Sequence, residues 1–263
     1  MSIVAELQAL QEKESLVLRR VETPRHTIQV REYRQYRWLQ LGGAAIQSLI
    51  DTENPTRVVV PVNQAMLLSL AFLKAPQRAL ILGSGGGSFE RFLRAYNPTI
   101  AIASVEKSQQ VLELAHEYFC FPDDISVVNG RADHFLADSS HSHDVILCDI
   151  FEGEDHPACL ATPLFHEQLA SRLDKNGLLA VNLLTLDQQS LVEILKCARM
   201  HFNHTALYVV PNHNNAVLFA AKFQFLDAIV SGAVEKLCAS LPDCDLNQWI
   251  QDIRALPQKV AQT

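Results

Sequence analysis

Apolar and polar positions alternate along this chain, and the period of the alternation changes from segment to segment. Residues 2–13 repeat at helical spacing and predict a short amphipathic helix. Leu16–Val21, Thr27–Tyr33, Arg37–Leu41 and Ala44–Ile50 are rich in β-formers and partly alternate, which predicts four short strands. The Gly42-Gly43 pair suits a hairpin turn, and Asp51–Pro55 reads as a linker by its turn residues. From Asn63 to Lys74 apolar residues fall on nearly every turn, as in a buried helix.

Beyond this point strands and helices alternate. Ala79–Leu82 and Ile100–Val105 are apolar runs of strand length, with Phe89, Phe92 and Leu93 at helical spacing between them. A helix is expected around Val111–Ala115, a strand at Ile125–Val128, a short helix at Ala132–Ala137 and a strand at Asp144–Asp149. Thr162–Leu173 reads as a helix, with Thr162 and Pro163 as N-cap and first helical residue. Leu178–Leu184 is a further strand and Gln188–His201 a further helix, the pattern of a parallel sheet covered on both faces. Ala206–Val210 and Ala216–Ala221 are joined only by PNHNN. That connection is too short for a helical crossover, so the pair must be antiparallel. Leu226–Leu241 and Leu246–Leu256 read as closing helices.

A mostly parallel, doubly wound sheet ending in an antiparallel hairpin is the plan of the class I S-adenosylmethionine-methyltransferase-like Rossmann fold. The expected organisation is therefore an α/β domain over residues 55–263, preceded by a small β-module over residues 1–54. A β-module of that size is weakly stable alone, so it should pack on the main domain or on a second subunit.

The candidate chemistry centres on Arg78–Glu106. Gly83, Gly85, Gly86 and Gly87, with Ser84 among them, follow the first core strand directly, and Glu106 ends the second. Glycines let a ligand approach backbone where a Cβ would collide. An acid some 20 residues on, at a strand tip, can accept hydrogen bonds from both hydroxyls of a ribose. The other reading of Glu106 is a cap for the helix that begins near Lys107 and Ser108. A second acidic cluster follows the strand that ends at Asp149, where DIFEGED places Asp149, Glu152, Glu154 and Asp155 within seven residues. Such a cluster suits either a solvated loop or a site that takes a proton from, and pairs with, a cationic substrate.

With 263 residues, 48% hydrophobic and 19% charged, the chain can bury a large core. No apolar run approaches the roughly 18 residues of a membrane helix, and the charged N-terminus has no signal-peptide core. The expectation is a cytoplasmic protein. Six scattered cysteines without a C-x-x-C pair argue against zinc and against a disulfide framework, and the pairs His141/His143 and His201/His204 match no metal motif. A formal charge of −7 disfavours nucleic acid as a partner.

Taken in order, IQVREYRQYRWLQLGGAAIQSLID, ALILGSGGGSFERFL, SVEKSQQVLELA, HDVILCDIF and LFHEQLASRLDKNGLLAVNLL make the chain resemble the spermidine synthase-like family of aminopropyltransferases. The resemblance runs from about Ile28 to Leu184. It implies a transferase that binds decarboxylated S-adenosylmethionine and passes its aminopropyl group to a small amine, without a metal. It also implies a homodimer or higher homo-oligomer, for which the N-terminal strands offer edges. Carried over residue by residue, Glu106 holds the ribose and the Gly83–Gly87 backbone, Ser84 included, receives the cofactor tail. Asp149 is the base or amine anchor, Glu152 the second acid for the amine, and Gln64 a retained substrate contact.

Three positions depart from the family pattern. Gly86 stands where the loop normally carries an aspartate for the cofactor's free amine. Asn63 stands where a tyrosine precedes Gln64. Arg131 stands where an adenine-side acid is usual, the nearest acid being Asp133, which either serves the cofactor or caps a helix. Losing the loop aspartate removes a repulsion toward a carboxylate and should free backbone N–H groups, so intact S-adenosylmethionine becomes an acceptable cofactor. Methyl transfer is thus the nearest rival to aminopropyl transfer. A non-catalytic nucleoside-binding homologue and, less well matched, a dinucleotide oxidoreductase complete the set.

Overall fold

The computed structural model describes residues 3–10, 14–24, 26–43, 45–153 and 155–257. Helix α1 (Ile3–Ala9) precedes an antiparallel meander of β1 (Leu16–Glu22), β2 (Thr27–Tyr33), β3 (Tyr36–Leu41) and β4 (Ile46–Asp51), paired in that order. The alternation within these strands sorts their apolar residues onto two faces. Ile28, Val30, Leu39 and Ile50 pack with Val111, Leu114 and Phe119 of the main body, while Trp38 and Leu49 pack with Val4 and Leu7 of α1 and with Val59. The small sheet is thus closed on both sides, and its attachment is intramolecular.

Helix α2 (Pro61–Leu67) continues as a tighter 3₁₀ turn over Leu68–Phe72 where a single helix to Lys74 was expected. Then follow β5 (Arg78–Leu82), α3 (Ser88–Tyr96), β6 (Ala101–Glu106), α4 (Gln109–Tyr118), β7 (Ser126–Asn129), α5 (Ala132–Asp138) and β8 (His143–Cys148). Helix α6 (Pro163–Arg172), β9 (Leu173–Leu184), α7 (Gln188–His201), β10 (His204–Val209) and β11 (Asn215–Ala221) come next. Helices α8 (Ser231–Ser240) and α9 (Leu246–Asp252) and the two-residue β12 (Arg254–Ala255) close the described chain. The large sheet runs β12-β10-β11-β9-β8-β5-β6-β7. Strands β5 to β9 pair in parallel, and β11 joins β9 antiparallel, as does β10 with β11. This is the methyltransferase-like arrangement with its terminal hairpin.

Both faces of the sheet are covered. On β5, Ala79 and Ile81 point into one layer with residues of α2, α3 and α8, while Leu80 and Leu82 point into the other with residues of α6 and α7. That is why β5 reads as an unbroken apolar run. The two expected closing helices are corrected in extent. The first begins only at Ser231, because the preceding turn is tied down by Val230 N donating to Ala71 O at 2.9 Å. The second stops at Asp252, because Arg254 and Ala255 pair with Leu207 and Ala206 and cover the open edge of β10.

Glu90, in the first turn of α3, is fully buried against β6. Ser104 Oγ donates to its Oε1 at 2.8 Å, and Oε2 has no hydrogen bond. Burial pushes this carboxyl up to about 7, opposed by the Ser104 hydrogen bond. A folded value above the unfolded one stabilises fully below about pH 4.5, and that contribution is lost as pH rises through about 7. Glu90→Gln should therefore narrow the difference in unfolding free energy between pH 5 and pH 8 by about 2 to 3 kcal/mol in urea titrations. An unchanged difference would show that Glu90 is not held protonated.

Candidate active site

Strand order reverses at β5, with β6 on one side and β8 on the other, so the turns after these strands open a crevice at their C-terminal ends. A cleft of about 760 Å³ lies there, walled on its far side by α1, β3 and β4. Gly83 has φ +90°, and a Cβ on it would lie 2.1 Å from the backbone oxygen of Asp149. Only glycine lets the turn after β5 lie against the turn after β8.

All five N–H groups of the glycine turn have acceptors inside the chain. Those of Gly83 and Ser84 donate to Val105 O at 2.8 and 3.3 Å, and that of Gly87 to Ser84 O at 2.9 Å. Gly85 N donates to Glu106 Oε2 at 3.1 Å, and Gly86 N to Ser48 Oγ of β4 at 2.7 Å. The expectation that Gly86 leaves N–H groups free is therefore not met. Gly83, Ser84 and Gly85 line the cleft; Gly86 and Gly87 do not. A Cβ at Gly86 would meet Ser48 Cβ at 2.9 Å and Phe119 at 3.1 Å, so the small sheet fills the space that a larger residue would need. From below, the buried Arg91 guanidinium donates to Gly86 O, to Phe119 O and to Pro55 O, fixing the turn to the module linker.

Glu106 sits at the tip of β6 and lines the cleft, only 9% exposed. Ser108 N donates to its Oε1 at 3.0 Å and Gly85 N to its Oε2 at 3.1 Å, leaving each oxygen a further acceptor site. The cap of α4 is the Ser108 hydroxyl, which accepts from Val111 N. The main chain of Glu106 is held as well, its carbonyl accepting from Gly130 N at 3.0 Å and from Asn129 Nδ2 at 2.9 Å. Burial raises the Glu106 carboxyl above the usual carboxylate range, with the Ser108 and Gly85 hydrogen bonds opposing.

Asp149 follows β8 and faces the same cleft. Asn182 Nδ2 of β9 donates to its Oδ1 at 2.8 Å, and Asn215 Nδ2 of β11 donates to Asn182 Oδ1 at 2.9 Å. This relay fixes the carboxylate. Burial pushes the Asp149 carboxyl up to about 6, Asn182 lowers it, and the charge of Glu106 adds to the rise. Neither asparagine was singled out from sequence, although a signal existed. Asn182 is a polar residue inside the buried run GLLAVNLL, and such a group must have a partner.

At the rim, Arg131 binds Asp133 with both tines of its fork, Nε to Oδ1 and Nη2 to Oδ2 at 3.0 Å each, and reaches Glu152 Oε1 with Nη1 at 3.3 Å. Asp133 also accepts from His134 N, and the guanidinium holds its carboxyl below the usual range. Asp133 and Glu152 line the cleft, so one arginine bridges two of the acids named from sequence. Glu152 lies on a tight turn, its N–H donating to Asp155 O at 3.0 Å. Glu154 lies outside the described residues. Gln64 is buried, and its Nε2 donates to Val58 O at 2.7 Å; Asn63, its neighbour on α2, lines the cleft instead. Among the described residues no cluster of three metal-ligating side chains occurs, and no helix is long and apolar enough to cross a membrane.

No protein-family model matches the chain. Over 173 residues it is 30% identical to the polyamine aminopropyltransferase of Chromobacterium violaceum, covering 64% of this chain and 66% of that one. Over 150 residues it is 29% identical to the polyamine aminopropyltransferase of Neisseria meningitidis serogroup A, covering 56% and 57%. The matched region thus spans less than two thirds of these relatives' length. Among solved structures, a probable spermidine synthase from Corynebacterium glutamicum superimposes with a TM-score of 0.74 at 18% identity, covering 92% of this chain and 91% of that one. By sequence and by fold, the chain is spermidine synthase-like. A spermidine synthase in complex with the transition-state analogue AdoDATO gives a TM-score of 0.70 at 17% identity, covering 92% and 84%. Human methyltransferase-like protein 13 in complex with SAH gives 0.61 at 20%, covering 77% and 98%. The spermidine synthase-like fold therefore shares its sheet with methyltransferases, as the terminal hairpin implied.

Proposed function

We propose that this protein is a transferase acting on an adenosyl-sulfonium cofactor, with transfer of an aminopropyl group to a small amine as the leading reaction. The observation that carries this reading is the pair of buried carboxylates, Glu106 and Asp149, facing one cleft from the tips of β6 and β8 on either side of the glycine turn. AdoDATO and SAH in the two fold neighbours agree with it.

The residues present fit such a group. Glu106 keeps an open acceptor site on each oxygen for two ribose hydroxyls. Ser84 lines the cleft, but its hydroxyl is itself buried, on the side of Glu90, and does not face a cofactor tail. The loop offers neither an aspartate for a free amine nor an unengaged N–H for a carboxylate, so it favours neither form of the cofactor strongly. When bound, the sulfonium supplies a carbon activated by the adjacent positive sulfur. Asp149 holds the acceptor amine and takes its proton, and the Asn182–Asn215 relay keeps the carboxylate aimed. Residues 1–54 act as the module that walls the cleft, and residues 55–263 as the catalytic domain.

Methyl transfer is the second reading, supported by the fold likeness to human methyltransferase-like protein 13 in complex with SAH. Calorimetric titration with S-adenosylmethionine, its decarboxylated form and methylthioadenosine separates the possibilities. Tighter binding of the decarboxylated form supports aminopropyl transfer, and tighter binding of the intact form supports methyl transfer. Binding of NADH but of none of the three would end the sulfonium reading.

A further inference from the structure

Beneath the glycine turn lies a polar cluster that the transfer chemistry does not use. Ser84, Glu90 and Ser104 come from the turn, α3 and β6, and all three are buried, Glu90 completely. Ser104 Oγ donates to Glu90 Oε1 at 2.8 Å. Glu90 Oε2 and the Ser84 hydroxyl have no hydrogen bond, yet the hydroxyl lies close enough to offset part of what burial does to the Glu90 carboxyl. Two unpaired polar atoms buried this close are costly unless they serve each other. A proton on Oε2 lets the carboxyl donate to Ser84 Oγ while Oε1 goes on accepting from Ser104.

The cluster is tied to Glu106 at both ends. Ser104 precedes Glu106 by two residues on β6, and Ser84 precedes Gly85, whose N–H donates to Glu106 Oε2 at 3.1 Å. A circuit therefore runs from the Glu106 carboxylate through Gly85 N–H to Ser84, across Glu90 to Ser104, and along β6 back to Glu106. The neighbouring Arg91 spends its guanidinium on the carbonyls of Gly86, Phe119 and Pro55 rather than on Glu90. Burial, which raises the Glu90 carboxyl to about 7, outweighs the groups that face it: the Ser104 hydroxyl, its own N–H, the Ser84 hydroxyl and the charge of Arg91.

Resting on the adenosyl-binding reading above, we propose that Glu90 is a positioning residue for the ribose site. Uncharged, its carboxyl holds Ser84 of the glycine turn and Ser104 of β6 in register, which keeps Gly85 N–H and Glu106 set for the sugar. Ionised, it leaves a buried charge under the turn, the turn shifts, and adenosyl affinity falls. The carboxyl is fully buried and does not line the cleft, so it acts only through the turn and β6.

Calorimetry of the full-length protein with methylthioadenosine at pH 6.5 and pH 8.5 tests this. Wild-type affinity should fall by about fivefold or more over that interval, as the carboxyl loses its proton. Glu90→Gln is uncharged and can still donate to Ser84 and accept from Ser104, so it should bind with about the wild-type pH 6.5 affinity at both values. Glu90→Leu fills the space without hydrogen bonds and should bind about fivefold or more weakly than the glutamine variant at both values. Without ligand, the Gly85 amide resonance should move further between the two pH values in the wild type than in the glutamine variant. An equal pH dependence of affinity in those two proteins, or a leucine variant that binds as well as the glutamine one, would overturn the proposal, whatever either substitution does to stability. If methylthioadenosine binds at neither pH, the adenosyl reading falls. An equal movement of the Gly85 amide in wild type and glutamine variant would then overturn the positioning role as well.

Discussion

Asp149→Asn should abolish turnover, by a factor of about a thousand or more, while leaving affinity for an adenosyl ligand within a few-fold. The substitution preserves shape, and the new side-chain oxygen can still accept from Asn182 Nδ2, so the relay through Asn215 survives. What disappears is the ability to take a proton from the acceptor amine. With a carboxyl raised to about 6 by burial, the wild-type base is protonated in acid and becomes competent as pH rises through that value. Activity should therefore climb between about pH 5 and 7, with the midpoint moved lower once a cationic cofactor is bound. Steady-state rates of wild type and variant, with calorimetric affinities for methylthioadenosine, check both statements. Unaltered turnover in the variant would remove Asp149 from the mechanism.

Gly83→Ala should destabilise the protein by about 3 kcal/mol or more and weaken adenosyl binding severely. The added Cβ would lie 2.1 Å from a backbone oxygen, that of Asp149, and 2.8 Å from its carbonyl carbon. Backbone cannot swing aside as a flexible side chain can, and φ +90° adds strain for any residue with a Cβ. The turns after β5 and β8 must part, which moves Asp149 away from the glycine turn. Gly153→Ala is the matched control. Gly153 also has a positive φ of +69°, but a Cβ there would meet nothing within 4 Å. Its cost should be limited to about 1 kcal/mol. Urea midpoints of the two variants read the contrast, and equal midpoints would show that the contact at Asp149 O does not constrain the fold.

The sheet was legible in the sequence because its strands are long apolar runs and its turns carry glycine, proline and asparagine. The antiparallel end followed from five residues, PNHNN, that cannot make a crossover. Pairing across long sequence separations was not legible. Ser48, 38 residues before Gly86, takes the N–H that the loop was expected to leave free, and nothing local to either residue announces this. Arg131 reaches Glu152, 21 residues on, and this was not legible for the same reason. Gln64 and Asn63 differ by one helical step of about 100°, enough to turn one onto Val58 O and the other into the cleft. The tail was misjudged because Leu246–Leu256 has helical periodicity, while the free edge of β10 recruits its last residues as a strand.

The proposal as a whole depends on where adenosine lies. A crystal soaked with methylthioadenosine measures this directly. Both ribose hydroxyls should come within hydrogen-bond distance of the Glu106 carboxylate, with the thioether sulfur turned toward Asp149. A ligand bound elsewhere, or a cleft in which Glu106 still meets only the N–H groups of Gly85 and Ser108, would contradict it.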